Sequence, residues 1–347
     1  MEDTRTIVGL DVSKNSIMAT AVDPLGHRVE QTEIGADDAT LVDFLEGLPG
    51  EKLVVLEACG VWEHINDAAA STGARVLLAH PLKTRLISET TLKTDRVDSE
   101  ALALLGRLDA VPEAYAPTPA ERELRRLVRE RTFYERKRKD LANPTYSILL
   151  QKGVPYEAGI LMRSRRREAL RRPNIPEVNR GLDALTRLEE ITQPLDKEIQ
   201  QAFLRSPEAQ LLATIPGVGK MTAVTLVAFL CPITRFKSAE AVVKYCGLCP
   251  SVYSSAGKSY SGHLVWDAHA ILKWVLVEAQ WFNRRFEKRG DVAKVGKRIA
   301  RHRGACTGGV AAGRTLVRIC SAVLRRGTPY QPHAPEPSSR PNYPAAS

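Results

Sequence analysis

The chain has 347 residues, 50 Lys/Arg against 40 Asp/Glu and a formal net charge of +10, with a pI near 9.4; this length predicts two or three domains with buried cores, and the basic balance points to a polyanionic partner. No apolar run approaches the ~20 residues of a membrane span, and the polar start Met1-Glu2-Asp3-Thr4-Arg5 does not read as a secretion leader, so a cytosolic protein with no membrane partner is expected. The six cysteines (Cys59, Cys231, Cys246, Cys249, Cys306, Cys320) are scattered, which argues against a disulfide framework and for reduced thiols; Cys246-Gly247-Leu248-Cys249 lacks the second ligand pair that a zinc site needs.

Along the chain, Ile7-Val8-Gly9-Leu10-Asp11 is a short apolar run closed by an acid. Strands are predicted there, at Ile17 to Val22 and at Val29 to Ile34, with a turn at Pro24-Leu25-Gly26. Ala39 to Leu48 has helical spacing. Leu53-Val54-Val55-Leu56-Glu57 is another buried-strand pattern ending in an acid, followed by a helix from Trp62 to Ala70 and a strand from Arg75 to Ala79. Strands alternating with helices predict an α/β layer. From about Thr94 the period is helical. Glu121 to Asp140 holds nine Lys/Arg against five acids, and Arg163 to Arg172 holds six arginines and one Glu. Pro144 is expected to interrupt or kink the first long helix, and a second runs from about Pro176 to Leu204. The pair reads as a helical hairpin or coiled coil, either a solvated spacer or a phosphate-facing surface. Residues 206–328 read as a compact helical region, and Gln331 to Ser347, with five prolines, reads as a disordered tail.

Four acids stand where a fold can gather them. Asp11 and Glu57 each end a strand, and Asp95 and Asp98, at i and i+3, share one helix face. Phosphoryl transfer on nucleic acid uses paired metal ions about 4 Å apart, and hard divalent ions take carboxylate oxygens. The structural alternative makes Asp95 the N-cap of a helix from Arg96 to Leu108, with Asp98 as its capping-box partner, and Glu57 a surface acid. The setting of Asp11 resembles the first strand of ribonuclease-H-like nucleases of the RuvC type.

Downstream, Ile215-Pro216-Gly217-Val218-Gly219-Lys220 precedes a helical run and resembles a helix-hairpin-helix turn, in which glycines and free N–H groups approach a phosphate; an internal packing turn is the alternative. Ser254-Ser255-Ala256-Gly257-Lys258 offers a hydroxyl nucleophile with no clear local base, Lys258 and His263 being the nearest candidates, and is otherwise only a turn.

In order, Gly9-Leu10-Asp11-Val12-Ser13, Leu56-Glu57-Ala58-Cys59-Gly60, His80-Pro81-Leu82-Lys83, Lys93-Thr94-Asp95-Arg96-Val97-Asp98, Ile215-Pro216-Gly217-Val218-Gly219, Tyr245-Cys246-Gly247-Leu248-Cys249-Pro250 and Ser254-Ser255-Ala256-Gly257-Lys258 resemble the DEDD transposases of the insertion-sequence one-ten family, to which the Piv-type DNA invertases are related. The likeness runs from about Thr6 to Tyr330. It implies a RuvC-like domain over residues 1–112, a basic helical or coiled-coil linker over 113–205, a helical transposase domain over 206–330 and a tail over 331–347. It implies a tetrad of Asp11, Glu57, Asp95 and Asp98 holding Mg²⁺ or Mn²⁺, and a nucleophile at Ser255, with Ser254 as the register alternative. It further implies transposition of the chain's own element through a covalent 5′-phosphoserine, a noncoding bridge RNA that pairs with donor and target DNA, and a dimer or tetramer. Arg125, Arg126, Arg129, Gly217, Gly219, Lys220 and Lys258 are the expected nucleic-acid contacts. The chain departs from the family pattern at Trp266-Asp267-Ala268-His269, where a Gly-Asn or Gly-Asp pair is usual, at Pro144, and in the Gly/Ala-rich Ala305 to Gly313. The competing readings are a purely hydrolytic RuvC-like nuclease or junction resolvase, and an inactive nucleic-acid-binding relic.

Overall fold

The computed structural model describes residues 5–87, 94–255, 258–264, 269–286 and 290–331. The chain forms two compact units, Met1–Pro117 and Thr118–Ser347. Among the described residues no helix is long and apolar enough to cross a membrane. The tail predicted from Gln331, apart from that residue, and Trp266-Asp267-Ala268 lie outside the described residues.

The first unit is built on strands β1 (Thr6–Val12), β2 (Ser16–Val22), β3 (Arg28–Gly35), β4 (Lys52–Glu57) and β5 (Arg75–Ala79), with helices α1 (Asp38–Gly47), α2 (Trp62–Ser71), α3 (Pro81–Ile87) and α4 (Asp95–Arg107). The sheet order is β3-β2-β1-β4-β5. The first three strands are antiparallel neighbours, whereas β4 and β5 run parallel to β1. This mixed α/β layer fits the expected ribonuclease-H-like arrangement, and the predicted strands and helices fall where the apolar runs placed them. Alternation splits the core between two faces. Val8, Leu10, Val54 and Leu56 pack with Leu41 and Leu45 of α1 and Ile65 and Ala69 of α2, while Ile7, Leu53, Val55, Leu77 and Ala79 pack with Leu102 and Ala103 of α4.

Helix α4 lies unusually close to the sheet. A Cβ added at Gly9 would stand 2.0 Å from the Ser99 carbonyl oxygen and 2.5 Å from the Ala103 backbone nitrogen, and one added at Gly106 would stand 2.7 Å from Val55 Cγ2 and 2.9 Å from Ile7 Cγ2. Glycine in the first strand is therefore a packing requirement. Ser99 and Ala103 lie over Gly9 and Gly106 lies over Ile7, so the N-terminal turn of α4 points to the end of β1 that carries Asp11.

The second unit begins with α5 (Pro119–Gln151), opened by a capping box between Thr118 and Glu121. It packs along α7 (Pro176–Arg205), with Arg131 Nε 2.9 Å from Asp196 Oδ1 and Gly181 fitted against Thr145, which makes the two helices antiparallel. Pro144 does not end α5, contrary to expectation; the ring sits on an exposed position, and tertiary packing on α7 offsets the lost backbone bond. The connection carries α6 (Ser164–Arg167) and closes a small core of Leu149, Leu161, Leu170, Leu182 and Leu185. There follow α8 (Pro207–Ala213), α9 (Lys220–Leu230), α10 (Ala239–Tyr245), β6 (Pro250–Ser255), β7 (Lys258–Leu264), α11 (Ala270–Phe286) and α12 (Asp291–Arg326).

The expectation of an all-helical region after residue 206 is corrected by the β6–β7 hairpin. Val252 and Tyr253 favour strand, and a two-residue Ala-Gly connection suits a tight hairpin. The Gly/Ala-rich Ala305 to Gly313 also finds its reason. Helix α12 breaks at Gly304, where φ is +84°, and a Cβ at Gly308 would stand 2.5 Å from the Gly296 carbonyl. Chain folded back this closely leaves room only for hydrogen. Cys246 and Cys320 belong to the core of this unit, and burial pushes the Cys320 thiol up to about 12, so these sulfurs pack rather than react.

Replacing Gly9 by Ala drives a methyl into the backbone of α4 and is expected to cost at least about 1–3 kcal/mol. Thermal unfolding checks this: the midpoint falls by several degrees for Gly9→Ala, whereas Gly47→Ala, which meets nothing within 4 Å, leaves it unchanged or slightly raised.

Candidate carboxylate site and serine hairpin

Strands β1 and β4 are in parallel register with Leu10 opposite Leu56. One step further sets Asp11 beside Glu57 at the C-terminal edge, and alternation puts both on the α4 face with Gly9 and Val55. On α4, Asp95, Ser99 and Ala103 form one i+4 row, and Asp98, Leu102 and Gly106 form the next. Ser99, Leu102, Ala103 and Gly106 are buried, so both acids continue the sheet-facing stripe. From Gly9, two strand residues lead about 6.6 Å to Asp11. From Ser99, one helical turn leads about 5.4 Å to Asp95. The apolar interface between helix and sheet thus ends, on both sides, in acids. Asp11, Glu57 and Asp98 are half-buried and Asp95 is exposed.

Two details bear on the structural alternative. The N-cap of α4 is Thr94, whose side chain accepts from the Val97 N–H; Asp95 is the first helical residue and Asp98 the fourth, so neither fills the capping-box role allowed for them. Both suit the positive end of the helix dipole. A polar clip holds this end of the helix to the sheet. Thr20 and Ser99 hydroxyls are 2.8 Å apart in a buried contact, and Gln31 Nε2 donates to Thr20 Oγ1 at 2.9 Å and to the Arg96 carbonyl at 3.2 Å. Sequence reading missed this clip; its only trace is a serine on an otherwise apolar row.

Four carboxylates are the donor set of a hard divalent ion, and they fit it in kind and in their common placement. Among the described residues, however, no three His, Cys, Asp or Glu side chains stand close enough together to hold a metal ion.

In the second unit, Ser255 pairs with Lys258 and Ser254 with Ser259 across the β6–β7 hairpin; Ala256 and Gly257 of the expected motif lie outside the described residues. The glycine turn joins α8 to α9. Ile215 and Val218 are buried, Gly217 has φ +85°, and Gly219 is the exposed N-cap of α9. Lys220 is exposed, and its Nζ donates to Gln200 Oε1 at 2.7 Å. The three arginines expected as nucleic-acid contacts separate. Arg126 and Arg129 are exposed, but Arg125 is turned into the core, 7% exposed. Its Nε donates to the Ala228 carbonyl at 2.8 Å, its guanidinium lies 5.2 Å from the Phe229 ring centroid, and burial pulls its pKa below the ordinary value. It holds α5 to α9 instead of facing a phosphate. Of the six arginines from Arg163 to Arg172, four are tied to acids: Arg163 and Arg166 to Glu157, Arg167 to Glu189, and Arg171 to Glu168 and Asp183.

The fold and the ordered motifs define a transposase of the DEDD class, an enzyme that cuts and rejoins DNA. A family model for DEDD transposases of the IS110 type matches residues 8–153, and one described as transposase, IS116/IS110/IS902 family, matches residues 209–294. The transposase for insertion sequence element IS1328 of Yersinia enterocolitica is 26% identical, covering 93% of this chain and 98% of that protein. The pilin gene-inverting protein of Moraxella bovis is 25% identical, covering 94% and 98%. The transposase for insertion sequence element IS1111A of Coxiella burnetii is 23% identical, covering 84% and 85%. The chain belongs to the IS110 family of DEDD transposases.

Arg125→Ala removes a charge-assisted bond and leaves the Ala228 carbonyl short of a donor, so it is expected to destabilise the fold by about 1.5–3 kcal/mol. Arg126→Ala stays within about 0.5 kcal/mol of the parent. Urea unfolding of the two variants checks the difference.

Proposed function

We propose that this transposase mobilises its own insertion sequence with Asp11, Glu57, Asp95 and Asp98 as a metal-binding tetrad and Ser255 as nucleophile. The observation that carries the reading is the placement of Asp11 and Glu57 at one strand edge beneath the first turn of α4. A divalent cation, Mg²⁺ or Mn²⁺, held by the tetrad would polarise the scissile phosphate and offset charge on the leaving oxygen. Ser255 Oγ attacks phosphorus; the P–Oγ bond forms, the P–O3′ bond breaks, and the departing 3′ oxygen takes up a proton. The 5′-phosphoserine stores the bond energy, so attack by a new 3′ hydroxyl reverses the step and needs no nucleotide cofactor.

In this reading, residues 1–112 form the catalytic RuvC-like domain, 113–205 a basic helical linker, and 206–330 the transposase domain with its helix-hairpin-helix-like turn. Arg126, Arg129, Gly217, Gly219, Lys220 and Lys258 contact nucleic-acid backbones, with free N–H groups at the start of α9 suited to phosphate. A bridge RNA encoded by the element selects donor and target by base pairing, which leaves the protein to read shape and charge, and the working assembly is a dimer or tetramer. The charge of +10 supports a polyanionic partner.

The test is covalent trapping on DNA that carries the element's own ends, with any co-purifying RNA retained. The wild type gives a denaturant-resistant protein–DNA adduct that maps to Ser255. Ser255→Ala gives none, Ser254→Ala retains it, and Asp11→Asn or Glu57→Gln lowers strand cleavage by about a hundredfold or more. Cleavage by Ser255→Ala at the wild-type rate would mean a hydrolytic nuclease, and an adduct lost only in Ser254→Ala would move the nucleophile by one residue. A discrete RNA from the element's noncoding end is expected on the purified protein; random cellular RNA alone contradicts the guide.

A further inference from the structure

Helix α11 carries Trp274, Glu278 and Trp281 at i, i+4 and i+7, one face of the helix, with Phe282 beside them. Trp281 is 57% exposed and Phe282 53% exposed, a large apolar and aromatic area to leave in water. The flank of α5 that meets Trp274 is cationic. Arg136 Cζ is 6.0 Å and Lys139 Nζ 5.3 Å from the Trp274 ring centroid, and both side chains are exposed. Arg129, seven residues before Arg136 and so on the same flank, is exposed as well and stands 5.3 Å from the Phe229 ring centroid. An edge of positive charge therefore runs beside a row of aromatic rings. Glu278, exposed in the middle of that row, repels phosphate and keeps a sugar-phosphate backbone on the α5 side.

Cations beside exposed rings match an unpaired strand, whose phosphates take the charge and whose bases stack on the aromatics. A duplex hides its base faces and gains only the charge. We infer that this face of the second unit binds an unpaired DNA strand. Arg129, Arg136 and Lys139 hold its backbone, and Trp281 and Phe282 stack its bases. The inference rests on the proposed cutting and rejoining, which requires a strand freed from its complement around the joint. DNA is the occupant because DNA is what a transposase cuts.

The experiment is fluorescence anisotropy on the full-length protein over a salt series, with labelled oligothymidine, a mixed-sequence DNA duplex and oligouridine. Trp281→Ala/Phe282→Ala is expected to weaken oligothymidine binding about tenfold or more at every salt concentration, since one stacked base contributes ~1–3 kcal/mol. Duplex binding stays within twofold, and Trp281→Phe with Phe282 intact keeps near-parental affinity. Arg136→Gln/Lys139→Gln instead lowers the slope of log affinity against log salt by about 1.4, two contacts at ~0.7 each. Undiminished oligothymidine binding by the aromatic double variant overturns the inference, as does equal loss on duplex or a larger loss on oligouridine. So does unchanged binding accompanied by a smaller assembly in light scattering, which would make the face a contact between copies. The Ser255 adduct is read separately. An adduct in a protein whose strand binding ignores Trp281 and Phe282 refutes stacking alone, and stacking-dependent binding without an adduct refutes the serine chemistry alone.

Discussion

The close seating of α4 on β1 governs the first unit. Gly9 lets the Ser99 carbonyl and the Ala103 nitrogen come within the space that any side chain would occupy, and Gly106 does the same over Ile7 and Val55. Once two points of the helix are pinned this closely, its axis and its height above the sheet are set. The i+4 rows that end in Asp95 and Asp98 are then carried to the edge where β1 ends in Asp11 and β4 in Glu57. The Thr20–Ser99 contact and the Gln31 bonds hold the turn nearest the acids. A buried hydroxyl pair of this kind adds little net stability, yet it fixes the rotation of the helix where a slip would turn the acids away.

The charge excess has to be divided before it is interpreted. A run of arginines in sequence suggests a phosphate-binding surface, but in the Arg163 to Arg172 segment most are neutralised by Glu157, Glu168, Asp183 and Glu189, and Arg167 is buried against Glu189. These pairs secure the small core at the tip of the α5–α7 hairpin. Arg125 is consumed likewise by Ala228 and Phe229. Positive charge available to a strand is instead carried by exposed positions such as Arg126, Arg129, Arg136 and Lys139. Position on the helix, more than density in the sequence, decides which arginines meet a partner.

The sheet was legible because its strands are short apolar runs ended by acids or turns, a pattern that period and breakers reveal without tertiary information. The pairing of Asp11 with Glu57 followed from both ending strands, and their meeting with Asp95 and Asp98 from the ordered motifs. What stayed hidden depended on contacts distant in sequence. Pro144 reads as a helix breaker until α7 is packed beside it. The β6–β7 hairpin hides among serines with only Val252 and Tyr253 to mark it. Gly304 and Gly308 look like weak helix until the chain is seen to fold back. Asp95 passes for an N-cap in sequence, and only the backbone shows that Thr94 holds that place.

The account's central claim is that acids from the sheet edge and from α4 form one divalent-cation site. Calorimetric titration of Mn²⁺ into the nucleic-acid-free protein tests it most directly, with Asp11→Asn and Asp98→Asn compared with wild type after thermal unfolding confirms that each is folded. The account predicts saturable binding to the wild type and its loss, to a similar degree, in both variants, because one acid from the strand and one from the helix serve the same ion. Wild-type affinity in Asp98→Asn, with loss only in Asp11→Asn, would contradict it and return Asp98 to the ordinary role of an acid at a helix start.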